Sequence, residues 1–348
     1  MAPRLSNIFA RAPKDEVVFD KVSSPSSQNG GSLTSSWITI LPKTWIPYVE
    51  LARLSPPAAP FLIYFPHLFG TLHAANVQPS SISNLLRSCV LLLWASLFFS
   101  NAAHAWNDLV DAPIDRKVSR TKNRPIASGI ISSRAAIIFM VSQSLIAASF
   151  LLLSSVSTAM ATLPTILGTI YYPWAKLHTH FPQVILGFCL AWGVMVGSRF
   201  AGLRQPWNDQ AGLCLVFASS CWTIIYDTIY AHQDVAEDIH LGVKSLAVLF
   251  GGHVKPLLWV VLFMMGVSLT LYGQLIEVTI GYYVITLGGC IFSLGSMIFN
   301  VRLSDKASCW KWFSTGFWIT GTSITLGLLS HYVQVRSGYR EGLSECCL

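Results

Sequence analysis

The chain has 348 residues, of which 53% are hydrophobic and only 11% charged, with a mean hydropathy of +0.53 and a formal net charge of +7. Soluble domains carry about 25% charged residues, so this composition excludes a soluble catalytic domain and describes an integral membrane protein. The positive charge is not a nucleic-acid signature, because it is distributed by membrane side rather than gathered into a patch.

In chain order, residues 1–41 are polar and rich in Ser, Gly and Pro, which predicts a disordered N-terminal segment. Its early basic residues are followed at once by Asp15, Glu16 and Asp20, which argues against a mitochondrial presequence. Residues 42–56 read as an interfacial lead-in, with Trp45 and Tyr48 at headgroup depth. Nine apolar segments of roughly spanning length follow, near 58–76, 83–105, 132–154, 157–173, 183–203, 210–230, 255–276, 279–300 and 311–333. The first and fourth are the weakest. Residues 42–335 are thus expected to form one transmembrane domain, and 336–348 a short polar tail in which Cys346 and Cys347 are weak candidates for reversible acylation.

Nine spans place the N-terminus and the loops after helices two, four, six and eight on one side. Of the 23 Lys and Arg residues, 18 fall there; only Arg87, Arg199, Arg204, Arg336 and Arg340 lie opposite. By the positive-inside rule that side is the cytosol or the matrix. Two acidic clusters share it. One is Asn107-Asp108-Leu109-Val110-Asp111-Ala112-Pro113-Ile114-Asp115; the other runs from Asp227 through Asp234 to Glu237-Asp238. They hold seven of the 16 acidic residues, and between residues 51 and 340 only Asp209, Glu277 and Asp305 lie outside them.

Ionisable groups beside a bilayer core are expensive, so such clusters mark a functional site. At about 100° per residue, Asp108, Asp111 and Asp115 fall within roughly 60° of one another, with Asn107 about 100° from Asp108. Pro113 predicts a break that sets Asp115 on a separate turn. Asp227, Asp234 and Asp238 fall within roughly 40° if their helix is continuous. Two facing carboxylate sets suit Mg²⁺, which prefers a few carboxylates together with substrate phosphate oxygens. Arg116, Lys117, Arg120, Lys122 and Arg124 follow the first cluster, Lys244 the second, and Lys176 lies in the fourth-to-fifth loop. Topology alone demands basic loops, so Lys117 and Arg120 are expected to be solvated. Metal-bridged diphosphate flanked by cations is an arrangement that stabilises departing pyrophosphate.

Together these motifs resemble the UbiA superfamily of intramembrane prenyltransferases over roughly residues 42–335. The first cluster fits that family's Asn-Asp-x-x-Asp-x-x-x-Asp motif without a gap, and Asp234 and Asp238 its Asp-x-x-x-Asp motif. The run Tyr172-Pro173-Trp174-Ala175-Lys176-Leu177-His178-Thr179-His180-Phe181-Pro182-Gln183 is similar to the Tyr-Pro-x-x-Lys-Arg-x-Thr-x-x-Pro-Gln element of 4-hydroxybenzoate polyprenyltransferases, with Leu177 where those enzymes carry Arg. The stretches 64–75 and 111–125 look most like fungal members that prenylate polyketide-derived phenolic acids.

The resemblance implies an all-α, polytopic bundle around a central cavity capped by motif-bearing loops. It implies an enzyme that uses Mg²⁺ to transfer a prenyl group from an allylic diphosphate to an aromatic acid. Asn107, Asp108, Asp111, Asp115, Asp234 and Asp238 would hold metal; Asp111, Asp115, Asp234, Asp238 and Lys176 would carry the chemistry. Arg116, Arg124, Lys176 and Lys244 would contact diphosphate, Tyr172 and Asp227 would shape the site, and Arg53 would pair with the acceptor carboxylate. A farnesyl donor and an orsellinic-type acceptor in meroterpenoid synthesis are favoured over 4-hydroxybenzoate in ubiquinone synthesis. Endoplasmic reticulum or Golgi membrane, motif loops toward the cytosol, is favoured over the mitochondrial inner membrane. A cation transporter is the alternative of another class, and would place its acids near mid-membrane.

Overall fold

The computed structural model describes residues 37–78 and 80–345, with side chains as far as Arg336 except Thr39. Most of the expected polar segment 1–41, and Cys346 and Cys347, therefore lie outside the described residues. Within them every regular element is helical.

A short helix α1 (Ile46–Leu51), with Trp45 exposed beside it, leads into α2 (Ala58–Val77). Ser81 then caps α3 (Ile82–Asp115) by accepting from the Asn84 amide. At 34 residues, α3 is about 51 Å long against a hydrocarbon core of about 30 Å. Its last turns, which carry the first acidic cluster, therefore project beyond the lipid. Pro113 does not break it, contrary to expectation; so close to the C-terminus the missing donor costs a single backbone bond. Next come α4 (Ser133–Ser149), α5 (Val156–Ala161), α6 (Leu163–His178), and then α7 (Pro182–Ala191) and α8 (Gly193–Phe200), which Trp192 joins into one span.

Asp209 caps α9 (Gln210–Ala231) by accepting from the amides of Ala211 and Gly212. This helix stops at Ala231, and Asp234 and Asp238 belong to a separate turn and to α10 (Val235–Leu241), which Gly242 closes at φ 72°. The condition of one continuous helix through the second cluster is thus not met. After α11 (Leu246–Phe250) come α12 (Val254–Leu275), then α13 (Ile280–Tyr282) running through two π-helical stretches into α14 (Ser296–Asn300), and α15 (Lys306–Glu345). The last helix runs to Glu345, into the stretch expected as a tail.

Among the described residues, six helical runs are long and apolar enough to cross a membrane: 82–115, 133–153, 182–200, 210–231, 246–275 and 280–300. The first, fourth and ninth expected segments fall on α2, α5–α6 and α15, which are weaker by this measure. Two prolines and two histidines dilute α2, and α6 has only 16 residues. The outer surface is apolar, with Leu152 85% and Phe263 71% exposed, as a lipid-facing surface requires.

The interior closes on a plug of aromatic side chains, in which Phe65, Phe69, Trp222 and Trp318 pack against one another. Beside it α2 and α8 approach through glycines, the device membrane helices use when small residues let backbones meet. A Cβ on Gly70 would overlap the Val194 carbonyl, and one on Gly197 the His67 carbonyl. We expect Gly70→Ala or Gly197→Ala to cost about 1–3 kcal/mol by overpacking. Gly266→Ala on α12, where a Cβ meets open space, should be neutral or stabilising by up to about 1 kcal/mol. Thermal unfolding in detergent reads the difference.

Candidate active site

At the end of the bundle where α3 and α9 finish, both acidic clusters face one cavity of about 260 Å³. Asn107, Asp111 and Asp115 lie at i, i+4 and i+8 on α3, offset by about 40° per step, so one face presents all three. Asp234 and Asp238 enter from α10 and the turn before it, and Lys176 from the end of α6. Tyr172 and Asp227 line the same space deeper in.

Asp108 has a different position from its neighbours. It is 2% exposed, accepts from Arg53 at 2.8 Å and from Arg124 at 3.4 Å, and is not part of the cavity wall. Arg124 also donates to Asp115 at 2.9 Å, and so clamps the end of α3 to the loop that follows it. Arg53 reaches this clamp with its backbone in the left-handed region, at φ 53°, a conformation that non-glycine residues hold only when surroundings impose it. Its guanidinium lines the cavity but is partly committed to Asp108. Arg116 donates to the Ala127 carbonyl at 3.2 Å and does not line the cavity.

Two of the remaining carboxylates, Asp111 and Asp234, are paired across the space. Lys176 donates to Asp111 at 2.7 Å and to Asn107 at 3.3 Å, with its ammonium over the Tyr172 ring. Arg120 forks onto Asp234, at 2.9 and 2.5 Å, and donates to the Tyr230 hydroxyl at 2.9 Å. The expectation that Arg120 is solvated is thus corrected: its side chain is 7% exposed and faces the cavity. The loop signal was blind to this because basic residues are expected there on topology alone.

Gln183 was also missed as a working residue. Its carbonyl accepts from the Leu246 amide at 3.0 Å, while the Lys244 amide donates to the Lys176 carbonyl at 2.7 Å. These two bonds stitch the α6–α7 loop to the one before α11. Lys244 itself lines the cavity and donates to the His178 carbonyl at 3.3 Å.

Five carboxylates (Asp111, Asp115, Asp227, Asp234, Asp238) and five cations (Arg53, Arg120, Arg124, Lys176, Lys244) line this space. Formally they cancel. A multiply charged diphosphate would upset that balance unless divalent cations entered with it. Among the described residues no three acids converge into a cage. Hard oxygen donors on two walls, without a cage, fit Mg²⁺ of the kind that completes its shell with water and substrate phosphate. Burial, and then the charge of Asp234, push the Asp238 carboxyl up to about 7.

Among known proteins, the UbiA prenyltransferase family is matched over residues 63–321. The prenyltransferase ascA of Acremonium egyptiacum is 35% identical over 269 residues, which cover 76% of this chain and 80% of that protein. The mitochondrial 4-hydroxybenzoate polyprenyltransferase of Schizosaccharomyces pombe is 30% identical, covering 85% and 83%. The apo structure of a UbiA homolog from Aeropyrum pernix K1 superposes with a TM-score of 0.62 at 18% identity, over 79% of this chain and 97% of that one. A UbiA homolog from Archaeoglobus fulgidus bound to DMAPP and Mg²⁺ gives 0.55 at 16% identity, over 78% and 98%. These two share the fold.

Two predictions separate the roles of the acids. Asp108→Ala strips Arg53 of its partner and leaves Arg124 with Asp115 alone, so it should cost about 3–5 kcal/mol of stability, seen as a lower Tm in detergent. For Asp238, an unfolded carboxyl titrates near 4, so between about pH 4 and 7 the folded chain keeps a proton the unfolded chain has lost. Stability of the metal-free protein then falls as pH rises through that window. Asp238→Asn should remove that contribution to the fall, making the variant about 1–2 kcal/mol more stable than the parent at pH 8 and equal to it at pH 4.

Proposed function

From the premise that the chain belongs to the UbiA prenyltransferase family, we propose that it transfers a farnesyl group from its allylic diphosphate to a polyketide-derived phenolic acid of the orsellinic type. The observation that carries the reading is the meeting of two carboxylate motifs and five cations at the neck of a cavity whose deeper part is apolar.

On this reading Lys176, Arg120, Arg124 and Lys244 grip the diphosphate at the neck, and Arg120 makes up for the arginine that Leu177 replaces. Asn107, Asp111, Asp115, Asp234 and Asp238 hold Mg²⁺, while Asp108 keeps Arg53 and Arg124 in place. When bound, Mg²⁺ neutralises the developing pyrophosphate and so weakens the allylic C–O bond. The chain's own residues do the rest. Its cations take up the charge of the leaving group. Tyr172, Tyr226, Tyr230, Trp310 and Phe313 line the wall, exclude water and offer ring faces to the allylic cation. An electron-rich ring carbon of the acceptor attacks that cation, and loss of the ring proton restores aromaticity. Arg53, at the mouth of α2, orients the acceptor carboxylate.

The stretches 64–75 and 111–125 favour the meroterpenoid acceptor. The α6–α7 element and the yeast relative favour a second reading, 4-hydroxybenzoate prenylation. Basic loops beside the motifs support a cytosolic orientation in the endoplasmic reticulum or Golgi membrane.

Membranes from a host expressing the chain, given a panel of prenyl diphosphates against 4-hydroxybenzoate and orsellinic-type acids, should yield a farnesylated orsellinic product identified by mass. Chelation should abolish transfer and added Mg²⁺ restore it. Asp111→Asn and Asp234→Asn should each lower turnover by about 100-fold or more with the fold intact. Undiminished transfer in either variant would remove that residue from the mechanism.

A further inference from the structure

Beyond its charged neck the cavity continues as an apolar lobe between α2, α3, α6 and α7, lined at its far end by Ile63, Phe99, Thr169 and Leu190. Along the helix axes, Phe99 lies about 12 Å from Asn107, and Leu190 about 12 Å from Pro182.

One turn further the bundle is solid on nearly every wall. Tyr226 gives way to Trp222, 1% exposed; Phe313 to Phe317 and Leu190 to Val194, both 0%. On α6, Thr165 follows Thr169 and donates to the Cys189 carbonyl at 3.1 Å, and a Cβ on Gly168 would overlap Cys189. On α3 the next inward residue is small: Ser96, itself buried. Phe99 is therefore a bulky stop with a small residue one turn behind it, and Leu190 lies on α7, beyond α6 from it.

We propose that Phe99 and Leu190 form the end stop of the donor tail and fix its length at two to three isoprene units, geranyl to farnesyl. The inference rests on the reading of this cavity as a prenyl diphosphate site. Removing the Phe99 ring opens the lobe by one helical turn, about 5.4 Å, toward Ser96. Enlarging Leu190 shortens it against the packed Val194.

The test uses the purified full chain in detergent with Mg²⁺, measuring binding of geranyl, farnesyl and geranylgeranyl diphosphates by calorimetry and transfer in parallel by product mass. The parent should bind geranylgeranyl diphosphate about tenfold or more weaker than farnesyl, as overpacking predicts. Phe99→Ala should bring those two within about threefold, and Leu190→Phe should lower farnesyl affinity by about tenfold while sparing geranyl. Phe99→Leu serves if the alanine variant does not fold.

Equal affinity for all three lengths in the parent, or one unchanged length order in every variant, overturns the end stop. Length-dependent binding without transfer to any acceptor would sink the proposed reaction and leave the stop standing. Transfer blind to tail length would do the reverse. Failure to bind any of the three would overturn both.

Discussion

The clamp of Arg124 between Asp108 and Asp115 is the interaction on which the site depends. Three buried charges are tolerable at the lipid boundary only as a hydrogen-bonded set, since an unpaired one would cost several kcal/mol. Once the set forms, the loop after α3 cannot swing away into water. Its turn carries Arg120 across to Asp234, which joins the first motif to the second. The Ser119 amide donates to Glu237 at 3.3 Å and adds a second tether between the same two segments. Fold and site are thus continuous, because the bonds that end the helices are the ones that aim the functional groups.

That continuity explains why so much was legible in the sequence. Burying an acid beside lipid is costly enough that seven of 16 acids in two clusters could hardly be incidental, and the four spans read between them, an even number, put both on one side. Those facts put Asp111, Asp115, Asp234 and Asp238 on one membrane side, and the fold brings them to one cavity. Periodicity was less able to resolve neighbours. Asp108 and Asp111 share a spacing argument, yet the 60° between them separates a structural anchor from a cavity wall. Which one turns inward depends on where Arg53 and Arg124 come from, and that is a tertiary fact.

The misjudged residues fail for related reasons. A basic residue in a cytosolic loop carries almost no information, so Arg120 could be identified only once its partner on α10 was in place. Pro113 signals a break in general, but costs little in a terminal turn. For the second cluster, 227, 234 and 238 fit one helical face only if the helix continues, and α9 ends at Ala231. In each case a local rule was sound and a neighbour overrode it.

The aromatic plug and the glycine contacts between α2 and α8 also close the bundle beyond the chamber, away from the end where α3 and α9 finish. On the proposed reading, donor and acceptor therefore meet on the membrane side that carries the motifs, and transfer between them moves nothing vectorially across the bilayer.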